Sequence, residues 1–130
     1  MKKMKSFVFK ISFFLVLVLN SCYYDTYVLP EINLDPSKII TFTDDIQPIF
    51  DQNCSTVGCH QAGNINPNLE AGSAYQSLIS GNFIDTDNPE NSELYQWMSG
   101  NRSITMPISG INEEFNIYVL TWIEQGAKNN

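Results

Sequence analysis

The chain has 130 residues, which suggests one domain. Its composition is 43% hydrophobic, and 7 Lys and Arg stand against 14 Asp and Glu for a formal net charge of -7. That balance argues against a nucleic-acid surface, which needs clustered cations, and it predicts that any protein docking by charge is basic; a solvated acidic surface with no partner is the alternative.

The first element in chain order is not fold material. "MKKMKSFVFK" carries Lys2, Lys3, Lys5 and Lys10, and runs into the apolar "ISFFLVLVLN" and then "SC". A basic start, a short apolar stretch and small residues predict an export signal over residues 1–21. The apolar run is shorter than the roughly 20 residues of a membrane-spanning helix; an uncleaved anchor is the competing reading. "LNSC" at 19 to 22 resembles a bacterial lipoprotein cleavage box, with Cys22 as the first mature residue and the lipid carrier. An ordinary signal peptide with a nearby free cysteine is its alternative. Several acyl chains would hold the protein on a membrane better than one. Cleavage there removes four lysines and no acids. Lys38, Arg102 and Lys128 then face 14 acids, a net charge of -11.

Residues 22–40, including "YYDTYVLPEINLDPSKII", have two prolines, scattered acids and no sustained period, and predict a lipid-anchored linker. The folded domain is expected from 41 to 130. "TFTDDIQPIFDQN" predicts a first helix starting near Asp44 or Asp45, capped by Thr43 or Asp44. Ile46, Ile49 and Phe50 share its inner face, and Pro48 is tolerable only in the first turn. A second helix is expected over 71–81, with Ala74, Tyr75, Leu78 and Ile79 on one face and Gly81 just past its end. A third is expected over 88–100, capped by Asn91 or Ser92. The clearest runs over 112–127, with Asn112 as cap, Glu113 and Glu114 in the first turn and Gly126 closing it. Phe115, Tyr118 and Trp122 are expected on its main face, widened by Ile117, Leu120 and Ile123. No stretch alternates as a strand does, so the fold class is all-α. Long loops rich in Gly, Asn and Pro, over 61–70 and 99–111, separate the helices, and loops of that length usually serve a function. Four short helices make a thin core, which a large apolar group at the centre would help.

The densest chemistry lies in "QNCSTVGCHQAG", residues 52–63. It holds Cys54, Cys59 and His60, the last being the only histidine in the chain. Two cysteines, the second followed at once by histidine, are the signature of covalent haem attachment. Each thiol adds to a vinyl group as a thioether, and the adjacent imidazole is delivered beneath the ring to bind iron. The gap between the cysteines is ordinarily two residues; here it is the four of "STVG", so two must bulge out, which Gly58 eases. A Cys54–Cys59 disulfide is the default in an oxidising compartment, but it leaves His60 unexplained; chance puts a lone histidine after Cys59 on the order of 1% of the time. A structural zinc site needs four ligands where three are offered. Catalysis by a Cys–His pair is disfavoured, because adjacent residues rarely reach each other usefully. The haem reading asks for a second axial ligand, commonly a methionine. Met106, in "RSITMPISG" beside Pro107, is the candidate; filling a core gap is its alternative role. Met98, on the apolar face of the third helix, is expected to pack.

Together these stretches resemble a class I c-type cytochrome, of the small planctomycete type found in exported and lipid-anchored proteins. "FTDDIQPIFDQNC" with "GCH" is similar to that family's first helix and attachment site. "NPENSELYQWMSG" is similar to its proline-and-serine helix start, "MP" to its distal loop and "WIEQGA" to its closing helix. The resemblance covers about Thr41 to Ala127; where the family has a further proline after "MP", this chain has Ile108. It implies a small fold of about four short helices around one covalent haem c, attached by Cys54 and Cys59 with His60 and Met106 on the iron. The implied function is single-electron transfer in the bacterial cell envelope, without catalysis, between redox protein partners. A helical envelope lipoprotein stapled by a Cys54–Cys59 disulfide, binding a partner without haem, is the alternative. A haem sensor or peroxidase-like protein in which Met106 dissociates is a third.

Overall fold

The computed structural model describes residues 34–130. The expected signal segment, Cys22 and most of the linker lie outside the described residues.

Among the described residues the secondary structure is helical, with no strand. The first element is a wide π-helical turn, Phe42–Ile46, which runs into α1, Gln47–Asn53. Thr41 caps the turn: its Oγ1 accepts the Asp44 N–H at 3.3 Å, and Asp45 Oδ2 accepts the Thr41 N–H at 2.8 Å. This is the reciprocal logic of a capping box. The helical path therefore starts before Asp44, earlier than expected. Pro48 explains the wide turn. Proline has no N–H to give four residues back and its ring crowds that carbonyl, so a looser turn precedes it and Pro48 falls in the first turn of α1.

α2, Ala74–Ser80, is shorter than the sequence pattern predicts. Ala74 and Leu78 are buried and Tyr75 packs beside them, but Ile79 is exposed. Asn82, not Gly81, takes the left-handed conformation after it, with φ 56°. The Asn82 N–H reaches the Ile79 carbonyl and the Phe83 N–H the Leu78 carbonyl, a Schellman ending. Gly81 is small for another reason: a Cβ there would stand 2.5 Å from the Phe83 ring. A 3₁₀ turn, Pro89–Asn91, leads into α3, Glu93–Met98. Ser92, at the cap position, is buried and turns its hydroxyl to Asp85 instead, accepting that N–H at 2.9 Å. α4, Glu113–Glu124, is capped as the sequence predicts: Asn112 Oδ1 accepts the Phe115 N–H at 3.1 Å, and Gly126 closes it at φ 94°.

The core joins the π-turn, α1, α2, α3 and α4 through Phe42, Ile46, Phe50, Leu78, Leu94, Met98, Val119, Trp122 and Ile123. Phe42 is the hub of its aromatic part, 5.3 Å from both the Tyr75 and Trp122 rings and 6.2 Å from Phe50. The buried line of α4 runs Asn116, Val119, Trp122 and Ile123. It is rotated from the expected face: Phe115 and Tyr118 flank it, and Ile117 and Leu120 are half-buried. Met98 is 3% exposed within this core, in the packing role expected of it.

The chain just before Thr41 belongs to the packed body. Ile40 is buried, its N–H donates to Gln125 Oε1 at 2.8 Å, and Gln125 Nε2 donates to the Lys38 carbonyl at 2.9 Å. One glutamine on the end of α4 thus holds both polar groups of an extended segment. Lys38 adds an ion pair with Asp45 at 2.8 Å. The C-terminal tail is fixed likewise: the Trp122 indole N–H donates to the Lys128 carbonyl and the Tyr75 hydroxyl to the Ala127 carbonyl.

Candidate functional site

The Cys54–His60 loop is built on the end of α1. The Cys54 and Ser55 N–H groups both reach the Phe50 carbonyl, which closes the helix. The His60 N–H then returns to the Cys54 carbonyl at 3.1 Å, and the Cys59 N–H to the Thr56 carbonyl at 2.9 Å. These two bonds gather both cysteines and the histidine at the mouth of one small loop. The four intervening residues bulge outward, with Val57 92% exposed at the tip and Gly58 at φ 83°. A left-handed φ suits glycine, so the extra length of the cysteine spacing is taken up locally.

Both cysteines are free thiols. Burial, reinforced by the neighbouring Cys59, pushes the Cys54 thiol up to about 11. Such a group is protonated at neutral pH and is a poor nucleophile or thiolate ligand there.

His60 is held more tightly than its position in a loop suggests. Its carbonyl accepts the Leu69 N–H at 2.8 Å, and its Nδ1 lies 3.0 Å from the Pro67 carbonyl oxygen. A carbonyl oxygen only accepts, so in this contact Nδ1 carries the proton. In the neutral ring Nε2 is then the lone-pair nitrogen, and the contact fixes the ring orientation from behind, as the outer partner of a metal-binding histidine does. Pro67 and Leu69 are both buried, so the support is anchored in the interior. Sequence reasoning missed Pro67: "NINPNLE" signals a turn, and nothing in it shows which side chain the carbonyl meets.

Met106 lies in a second loop, between α3 and α4. Gly100, at φ 80°, reverses the chain, and a Cβ there would stand 2.8 Å from Ile111 Cδ1. The start and end of the loop are therefore in contact. The Met106 N–H donates to the Trp97 carbonyl at 3.1 Å, and the Gly110 N–H to the Pro107 carbonyl at 2.9 Å, making a turn of residues 107–110. Met106 is half-buried and Pro107 buried.

Among the described residues no hydrogen bond joins the cysteine loop to the methionine loop, and no three His, Cys, Asp or Glu side chains form a metal-ligating group. The two loops share another property. Of the seven large hydrophobic residues exposed in the described chain, four lie in them, Val57, Ile104, Ile108 and Ile111, and Ile65 lies in the stretch that follows His60. A separate cavity of about 300 Å³, lined by residues including Phe42, Gln47, Gly72 and Tyr75, contains none of the predicted site residues. No protein-family model, curated protein or solved structure matches the chain.

Proposed function

We propose that this chain is a single-haem c-type cytochrome, lipid-anchored through Cys22 in a bacterial cell envelope, that passes single electrons between protein partners. The observation that carries the reading is the pairing of two free thiols with a pre-oriented imidazole in one loop. Cys54 and Cys59 offer the sulfurs for two thioethers, and His60 presents Nε2 because Pro67 holds Nδ1.

The residues fit the group in two further respects. The donors are soft or borderline, a thioether and an imidazole, as suits haem iron. The exposed aliphatic side chains of the two loops offer apolar surface of the kind a porphyrin would cover. Haem iron supplies reversible one-electron chemistry. His60 and Met106 would hold it from this chain, and a thioether ligand raises the reduction potential. Both ligands would come from this chain, and the reading is therefore of an electron carrier rather than an enzyme. Its acidic surface would steer a basic redox partner into a small, transient contact.

The test is the intact mass of protein made in a host that attaches haem. One added haem that survives denaturation is expected. A mass two hydrogen atoms below the bare polypeptide would mean a disulfide and overturn the reading. The anchor is tested separately: Cys22→Ala should block lipid-dependent processing and release the protein from membranes.

A further inference from the structure

We infer that Glu93 is a positioning residue for the Met106 loop, acting through Trp97 and Arg102. Glu93 opens α3 and Trp97 stands one turn later, so the two side chains share a face. The Trp97 indole N–H donates to Glu93 Oε1 at 2.7 Å. After the reversal at Gly100, Arg102 comes back along the same face. Its Nε donates to Glu93 Oε1 at 3.2 Å and its Nη2 to Oε2. One carboxylate thereby grips the helix and the outgoing limb of the loop. The backbone of Trp97 grips the loop again, since its carbonyl accepts the Met106 N–H.

The three groups form one clasp: Arg102 to Glu93, Glu93 to the Trp97 ring, and the Trp97 backbone to Met106. A lone exposed ion pair would contribute little, but a bidentate guanidinium sharing a carboxylate with a third donor is the geometry in which such pairs count. Arg102 is one of only two arginine or lysine side chains in the described residues with a carboxylate partner. The consequence at iron rests on the haem reading; the clasp itself is made of protein atoms alone.

The experiment compares the full chain with Glu93→Gln, Arg102→Gln and the double variant, by amide hydrogen exchange at single residues and by carbon monoxide binding to the reduced, haem-loaded protein. The expected result is exchange of the Met106 amide faster by about fivefold in each single variant. The double variant should be no worse than either single one, and the core amides of Val119 and Trp122 should be unchanged. Carbon monoxide should bind about fivefold more tightly, because the methionine competes less well. Unchanged exchange at Met106 overturns the clasp, and so does a rise spread equally over the core amides, which would mark general destabilisation. Faster Met106 exchange with unchanged carbon monoxide affinity overturns its role at iron. If no haem is attached, the haem reading fails and takes that role with it; the Met106 amide in the haem-free chain then reports on the clasp alone.

Discussion

The aromatic half of the molecule and the two loops it carries are built on opposite terms. Around Phe42, Tyr75 and Trp122 the rings interlock, Trp122 is fully buried and its N–H is satisfied by the Lys128 carbonyl. In the loops over 54–69 and 99–112, backbone hydrogen bonds fix the path while aliphatic side chains stand in solvent, Val57 at 92% and Ile108 at 75% exposure. A chain of this size has little apolar surface to spare. Spending it in solvent beside two thiols, a held imidazole and a methionine makes sense if those loops present surface to a partner or a cofactor. One half is packed around interlocked rings; the other is a backbone-fixed path with exposed aliphatic side chains.

Substitutions should separate the halves in graded fashion. Trp122→Ala removes the largest fully buried side chain and should cost about 3–5 kcal/mol by urea denaturation. A loss under about 1 kcal/mol would mean that the aromatic cluster does not carry the fold.

The two methionines give the sharpest contrast. Met98→Ala, in the core, should cost about 2–5 kcal/mol and leave the ligand spectrum unchanged. Met106→Ala, half-buried in its loop, should cost less than about 1 kcal/mol in the haem-free chain. In haem-loaded protein it should open the iron to cyanide or carbon monoxide and lower the potential. The reverse pattern would exchange their roles.

Asn112→Ala removes the cap of α4 and should cost about 1 kcal/mol. Because α4 serves both halves, fast exchange should appear first in its opening turn. If stability is unchanged, the Asn112 side chain is not carrying the cap.

The smallest effect concerns Asp45. Burial pushes its carboxyl up, but the Lys38 ammonium and the Thr41 N–H and hydroxyl outweigh it and hold the pKa below 3.8. As pH falls, the unfolded chain takes up this proton first. The stabilisation is therefore complete above that value and is lost as pH drops through the folded pKa. Asp45→Asn should flatten the fall in urea midpoint as pH drops below about 5. An unchanged slope would assign the acid sensitivity to other carboxylates.

What the sequence determined is what a short window can carry. The 3.6-residue period, Asn112 with Glu113 and Glu114, and Gly126 define α4 almost to its ends. Pro48 had to fall in a first turn, and it does. The adjacency of Cys59 and His60 is likewise legible in sequence and singles out the candidate site on which the proposal rests. Tertiary contacts decided the rest. The sequence suited Ile79 to the core as well as Ala74, yet packing left it in water. Lys38 and Ile40 read as linker until Gln125, 85 residues after Ile40, supplied their backbone partners. The Pro67 carbonyl behind His60 and the Glu93 carboxylate between Trp97 and Arg102 are likewise invisible in sequence. A carbonyl has no residue type, and a carboxylate on a helix reads as a solvated surface until the chain returns to meet it. Local pattern names the groups that can act; only the folded path decides which of them are held still.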